Sequence, residues 1–276
     1  MDNRSRLDHG IIGLIAAMPE EIRPLLRLAG KYRREKIDRF EAYRFTYGRE
    51  KVLLVKSGMG LENAAAAALA LIKAKPCIIV NFGFCGAVKE GPRVGDVMVA
   101  QRILLNRDDL FSPQSGIVEE EAKRLTRSLA DAFNGRDFRV HGGTFITAPE
   151  IRSKAEMARL VPTWVPNPVL EMETAAVAKA ASEEGVPLLA VRGVSDDAGE
   201  ELGFSISELT DARMRIRIGK VLKTVAGKPW IIPQMLRLAR NSGKAGKNLA
   251  LAIAVLLEDT NELPLKGTRC DLKNCP

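Results

Sequence analysis

Three acidic positions stand where proton chemistry could be done. Glu171 and Glu173 lie two apart in Leu170-Glu171-Met172-Glu173-Thr174-Ala175-Ala176, at the head of an alanine-rich stretch. At the start of a helix, residues two apart point in different directions, so one carboxylate can be pinned into the protein while the other faces a ligand. Asp196 follows Leu188-Leu189-Ala190-Val191, an apolar run that reads as a buried strand, which puts it where parallel α/β sheets carry their ligands. A further acidic pair, Glu20-Glu21, closes the apolar run Ile11–Met18. Each feature alone has an ordinary explanation, since acids complement the dipole of a first helical turn and an Asp after a strand often only caps. Their pairing in one strand-helix-strand unit, with an acidic cluster near the N-terminus, favours acid–base chemistry on a small polar molecule.

Metal chemistry has little to draw on. The two histidines are His9 and His141, and the four cysteines are Cys77, Cys85, Cys270 and Cys275. The last two are separated by four residues, outside the close spacing of structural zinc pairs, so no metal and no cofactor is expected. Cys77 borders an apolar run and is expected in the core, and the usage as a whole reads as reduced and cytoplasmic.

The elements that must hold these acids alternate. Strands are expected at Ile11–Ala17, Arg39–Tyr47, Lys51–Lys56, Cys77–Phe82, Asp96–Arg102, Arg139–Phe145 and Pro187–Val194. Helices are expected at Glu20–Ala29 (with Pro19 at its start), Leu61–Lys73, Glu119–Phe133 and Glu171–Glu184. The final third from Ser205 reads as helical, broken at Gly227-Lys228-Pro229 and Pro233. Alternation of this kind gives an α/β fold, a single domain with a mixed, largely parallel central sheet flanked by helices. Ser57-Gly58-Met59-Gly60 and Gly83-Phe84-Cys85-Gly86 read as glycine turns, but neither has the full GxGxxG spacing of a dinucleotide site. The first could present backbone N–H groups to a sugar or phosphate oxygen, or could simply be a tight turn.

At 276 residues, with 46% hydrophobic and 28% charged residues, the chain is long enough to bury a sizeable core. Ile11–Met18 behind Arg4 and Arg6 mimics a short signal peptide, but Pro19-Glu20-Glu21 follows at once and a buried first strand explains it better. The net charge of +8 is concentrated: Ala212 to Leu257 holds no Asp or Glu, and ten Lys and Arg fall between Arg213 and Lys247. Basic helices interspersed with apolar residues either pack on a core with a solvated basic face or lie on an anionic membrane surface. No motif or aromatic stacking pattern indicates nucleic acid.

Taken in order, these segments resemble the purine nucleoside phosphorylase/nucleosidase superfamily, and its methylthioadenosine/S-adenosylhomocysteine nucleosidase branch most. The resemblance runs from Ile11 to about Ala198 and rests on Ile12-Gly13-Leu14-Ile15-Ala16-Ala17-Met18-Pro19-Glu20-Glu21, Lys56-Ser57-Gly58-Met59-Gly60, Asn81-Phe82-Gly83-Phe84-Cys85-Gly86, Val94-Gly95-Asp96-Val97, Glu171-Met172-Glu173 and Ser195-Asp196. It implies hydrolysis of the N-glycosidic bond of a purine nucleoside, with Asp196 donating a proton to N7 of the leaving base and Glu21 deprotonating the attacking water. It further implies Met172 and Glu173 at the ribose, with Glu171, Gly58, Gly83, Phe84 and Ile151 also among the substrate-binding residues, and Ser195 and Arg192 behind the acids. Three departures bear on the 5′ substituent and the base. Ile151 replaces a stacking aromatic, Phe84 replaces a small serine, and Asn106-Arg107-Asp108-Asp109-Leu110-Phe111 replaces a histidine- and tyrosine-containing loop.

The stretch Lys228-Pro229-Trp230 through Asn241-Ser242 is similar to the tail of hopanoid-associated members, which act on a nucleoside carrying a lipid at its 5′ carbon. On this reading residues 1–226 form the nucleosidase-like domain, 227–263 a helical basic extension packed on it or on a partner, and 264–276 a flexible tail. A homo-oligomer in which a neighbouring subunit closes the pocket is implied, and peripheral membrane contact through the basic segment is a further expectation. Two alternatives stay open: a phosphate-dependent phosphorylase, and a non-catalytic nucleoside- or lipid-binding protein.

Overall fold

The computed structural model describes residues 10–117, 119–150, 153–198, 227–228 and 231–259. Along them the chain runs β1 (Ile11–Ala16), α1 (Pro19–Ala29), β2 (Arg33–Ile37), β3 (Phe40–Tyr47), β4 (Glu50–Lys56), α2 (Leu61–Ile72), β5 (Pro76–Ala87), β6 (Val97–Arg107), β7 (Leu110–Gln114), α3 (Glu119–Ala132), β8 (Val140–Thr147), α4 (Lys154–Leu160), β9 (Pro168–Glu171), α5 (Thr174–Glu183), β10 (Leu188–Asp196) and α6 (Ile232–Asp259).

The strands make one mixed sheet in the order β10-β6-β8-β9-β5-β1-β4-β3-β2, with β7 paired to β6. Its frame is the parallel set β4, β1, β5 and β10, whose carboxyl ends share one edge. Strand β10 pairs with both β5 and β6, and β9 pairs with both β8 and β5. The half of the sheet built from β5, β10, β6, β8 and β9 therefore closes into a ring. Both faces of the frame are covered, which is why its strands read as continuous apolar runs rather than alternating ones.

One face carries α2 and α5, where Ala64, Ala67, Ala68 and Leu71 meet Ala175, Val177, Ala178 and Ala181. Small side chains on both helices allow this close layer and explain the alanine-rich composition. The other face carries α1, α3 and α6, with Ile22, Leu25 and Leu26 of α1 in one core cluster with Leu249, Ile253, Leu256 and Leu257 of α6. Helix α6 lies so near β10 that a Cβ at Gly193 would stand 2.8 Å from the carbonyl oxygen of Ala245. Arg237, Arg240 and Lys247 are exposed along it, while Lys244 runs over Gly95 and pairs with Asp137 at 3.3 Å. Among the described residues no helix is long and apolar enough to cross a membrane.

Several expectations need correction. Pro233 lies in the first turn of α6, where its missing N–H has no intrahelical partner to lose, so it opens that helix instead of breaking it. Gly83-Phe84-Cys85-Gly86 is not a turn, because β5 runs through it in register with Arg192–Asp196 of β10. Glu171 ends β9 and lies outside the helix, which begins at Thr174. Asn106–Phe111 is the tip of the β6–β7 hairpin, not a loop, with Asp108 and Asp109 both at positive φ (48° and 62°), as a tight hairpin turn requires. Cys77 is exposed, since it alternates with buried Pro76 and Ile78 at the outer end of β5. Residues 1–9, Ile151, Pro229-Trp230, the helical reading of 205–226 and the tail from 260 onward lie outside the described residues.

Candidate active site

Glu21 sits in the first turn of α1 and folds back under the end of β1. Its Oε2 accepts hydrogen bonds from the backbone N–H groups of Ala17 (2.8 Å) and Met18 (2.7 Å), and its Oε1 from that of Phe84 (2.9 Å). It is 3% exposed, so the carboxyl is held by the backbone of two strand ends. Burial raises its pKa above the ordinary carboxylate value, against the opposing charge of Arg192 and the three backbone donors. A carboxyl so poised is suited to taking up a proton.

Glu171 and Glu173 divide as their spacing allows, and the division corrects the place of Glu171 among the substrate-binding residues. Glu171 has a side chain with 0% exposure, and its Oε2 accepts from Arg192 Nη2 (2.7 Å), the N–H of Glu173 (2.9 Å), the N–H of Thr174 (2.8 Å) and Thr174 Oγ1 (2.8 Å). Its other oxygen accepts from the Thr147 hydroxyl. With both oxygens bonded inside the protein and no surface left, it faces no ligand. Burial pushes its pKa up, but the Arg192 charge and these donors outweigh it and hold the group below its ordinary value. Arg192 is itself 1% exposed and also reaches Asn81 Oδ1 (2.8 Å) and Thr174 Oγ1 (2.9 Å).

Glu173 is the free partner. Its Oε1 accepts from the N–H of Gly60 at 3.0 Å, while Arg192 stands 3.8 Å from its Oε2. Gly60 has φ +92° and Gly58 φ +82°, so the turn after β4 needs glycine to aim that N–H at the carboxylate. Burial and then the Glu171 charge push the Glu173 pKa up to about 7, against Arg192. Met172 beside it is half-buried.

Asp196 closes β10. Ser195 Oγ lies 2.7 Å from its Oδ1, and its Oδ2 pairs with Lys154 Nζ from α4. Its side chain keeps 25% exposure. The two glycines of β5 now have a physical purpose. A Cβ at Gly83 would stand 2.6 Å from Glu21 Oε1, and one at Gly86 would stand 2.6 Å from Asp196 Oδ2. Each glycine clears the seat of one carboxylate over the strand. Phe84 between them serves Glu21 through its N–H, while the far end of its ring approaches Gly246 of α6, 3.3 Å from where a Cβ would stand there.

The acids therefore gather at the carboxyl edge of the parallel frame: Glu21 after β1, Glu173 against the turn after β4, and Asp196 at the end of β10. That is the edge at which α/β sheets bind ligands. Nothing comparable to a phosphate cradle accompanies them among the described residues. Arg192 is committed to Glu171, and Arg23 is two-thirds exposed, 3.9 Å from Glu20, along a groove of about 440 Å³ between α1 and β3.

The profile of the phosphorylase superfamily matches residues 11–226. The chain belongs to that superfamily. Over 211 residues it is 30% identical to a 5′-methylthioadenosine/S-adenosylhomocysteine nucleosidase of an Exiguobacterium species, covering 72% of this chain and 91% of that one. It is 28% identical over 234 residues to the nucleosidase of the same description from Listeria innocua, covering 78% and 99%. The fold is that of the Neisseria meningitidis 5′-methylthioadenosine/S-adenosylhomocysteine nucleosidase solved in complex with methylthio-immucillin-A (TM-score 0.68, 20% identity, 91% and 99% covered). It is equally that of the Helicobacter pylori futalosine hydrolase (TM-score 0.68, 17% identity, 91% and 98% covered). The protein is an enzyme, an N-glycosyl hydrolase of purine nucleosides.

Sequence reasoning passed over four contributors. Gly60 was legible as part of a glycine turn but not as the donor to Glu173. Thr147 and Asn81 give no signal in the chain, since a buried Thr or Asn is recognised only by what surrounds it. Lys154, 8% exposed, reads in sequence as an ordinary surface lysine between Ser153 and Glu156.

Proposed function

We propose that this enzyme hydrolyses an adenine nucleoside whose 5′ carbon carries an apolar group, methylthio or lipid-linked, with Asp196 as the acid and Glu21 as the base. The observation that carries this is the pair of carboxylates seated over Gly83 and Gly86, three residues apart on β5. Glu21, buried and raised in pKa, takes the proton of the attacking water. Asp196, still partly exposed, protonates the departing base. Such division between an acid and a base on opposite sides of a scissile glycosidic bond is the arrangement of an inverting glycosidase. Glu173 receives the ribose hydroxyls with Met172 packed against the sugar, while Arg192 and Ser195 hold the acids. The absence of a free arginine among the described residues at Glu21 favours water over phosphate as the nucleophile.

The lipid-linked form is supported by the basic outer face of α6, where Leu236 (56%) and Ile232 (41%) are also exposed, as a peripheral contact with an anionic membrane requires. A cytoplasmic homo-oligomer is part of the same reading. Leu110 at 72% and Trp164 at 67% exposure are large apolar side chains that a second copy would cover.

The deciding experiment measures adenine release, with and without phosphate, from methylthioadenosine and from a 5′-long-chain-alkyl adenosine. Release from the alkyl compound without phosphate is expected. Release from methylthioadenosine alone would remove the lipid-linked substrate, and dependence on phosphate would make the enzyme a phosphorylase with another role for Glu21. Binding without release would leave a nucleoside-binding protein.

A pH effect follows from Glu173. Its native pKa of about 7 lies above the unfolded value, so its share of stability is present below the ordinary carboxylate pKa and is lost as pH rises through about 7. Ribose hydroxyls donate best to the ionised form. Binding of a non-hydrolysable nucleoside analogue is therefore expected to tighten as pH rises through 7 and to release a proton below it. Calorimetry at pH 6.5 in two buffers of different ionisation enthalpy would show this release. Identical heats would place the ribose elsewhere.

A further inference from the structure

We propose that Lys154 is the positioning residue of the proton donor: its ammonium fixes the Asp196 carboxylate and supplies the proton that Asp196 hands to the leaving base. The inference rests on Asp196 being the acid.

Lys154 comes from α4, a seven-residue helix remote in sequence from β10, and its side chain is only 10% exposed. A lysine is seldom buried without a reason. Here the first partner is Asp196 Oδ2, and the second is the carbonyl oxygen of Asp197 at 2.5 Å. The side chain is held along its length as well, since its Cε lies 2.9 Å from where a Cβ at Gly86 would stand. Asp196 is thus gripped from two sides, by Ser195 Oγ on Oδ1 and by the ammonium on Oδ2.

The other groups facing this pair do not compete for the proton. The Asp197 carboxylate accepts from the Val94 N–H at 2.8 Å, burial pushes the Cys85 thiol well above its ordinary pKa, and Glu171 is paired with Arg192 deeper in the core. The ammonium on Oδ2 sets a donor directly against the carboxyl that must protonate the base. As the N-glycosidic bond breaks, its electron pair passes to the base. A proton moves from Lys154 Nζ to Asp196, and Asp196 delivers one proton to the base. Water bonds to the anomeric carbon and loses one proton to Glu21, which passes it to solvent as the products leave. The neutral amine of Lys154 regains its proton from solvent through its exposed edge.

Charge and proton supply are separable by substitution, because a guanidinium carries the charge but does not release a proton in proteins. Lys154→Met is expected to lower kcat about 10²-fold, the scale of general acid catalysis, with KM within about threefold. Lys154→Arg is expected to bind normally and remain slow. In Lys154→Ala, added ethylammonium is expected to restore turnover, and a series of primary amines should give rates that vary with amine pKa.

Wild-type turnover in Lys154→Arg would overturn the proton supply and leave a simple electrostatic clamp. Normal kcat in Lys154→Met with Asp196→Asn inactive would overturn the inference altogether while leaving Asp196 as the acid. Full activity in Asp196→Asn would instead remove the reading on which it rests. Amine rescue is read within one variant, so loss of folding cannot imitate it.

Discussion

Asp196→Asn is expected to lower kcat by about 10²–10⁴-fold, the usual contribution of a general acid, while leaving substrate binding close to normal. Asn keeps the size of Asp, its one carbonyl oxygen can accept from Lys154 and its amide N–H can donate to Ser195 Oγ, so the end of β10 should keep its shape. What it lacks is a transferable proton. The base must then leave as an anion, and the barrier rises by the free energy of that uncompensated charge. Two measurements give the effect its meaning. Single-turnover adenine release reads the chemical step itself, and a nucleoside analogue whose leaving group departs without protonation should recover most of the lost rate. Near-normal turnover on the natural type of substrate would take Asp196 out of the mechanism, and equal loss on the activated analogue would point to a damaged site instead.

Arg192→Met is expected to destabilise the fold by about 3–5 kcal/mol, the range for removing one partner of a buried ion pair. Arg192 is 1% exposed and Glu171 has no exposed side-chain surface, so the carboxylate left behind has no water to turn to. Its backbone donors and the two threonine hydroxyls remain, yet they do not cancel a full charge in the core. The deficit has a predictable pH dependence. In the wild type the Glu171 pKa lies below its unfolded value, so its stabilisation is present above that value and is lost as pH falls through the native pKa. In the variant the same carboxyl becomes one whose native pKa is raised. The gap in urea midpoint between the two proteins should therefore be widest near neutral pH and narrow toward pH 4. A gap under about 1 kcal/mol at pH 7 would mean that solvent reaches Glu171, contrary to its burial. Adding Glu171→Gln to the variant should recover part of the loss, because Gln keeps an acceptor for the same donors without the charge.

The alternation of apolar runs with alanine-rich and amphipathic stretches was enough to read an α/β fold, and the expected strands at Ile11–Ala17 and Lys51–Lys56 are β1 and β4 within a residue of their observed ends. Strand β2, with four charged residues among the five of Arg33–Ile37, carried too little apolar signal to be seen. Strand β9 was hidden because Pro168 opens it amid loop composition, and only its place between β8 and β5 makes it a strand. The glycines of β5 misled for a related reason. Glycine most often marks a turn, and nothing local distinguishes one that clears space for a side chain arriving from elsewhere.

Taken alone, the sequence determined the class of fold, the acidic identity of the site and the rule that Glu171 and Glu173 must point apart, because these depend on periodicity and residue type along the chain. Which glutamate is pinned, why β5 needs glycine at two positions, and that a lysine from α4 grips Asp196 were decided only by tertiary structure. Arg192 lies 21 residues from Glu171, and Lys154 lies 43 from Asp197, whose carbonyl it holds beside Asp196. Charges that set one another's protonation act over a few ångströms of space, and distance along the chain carries no record of that separation.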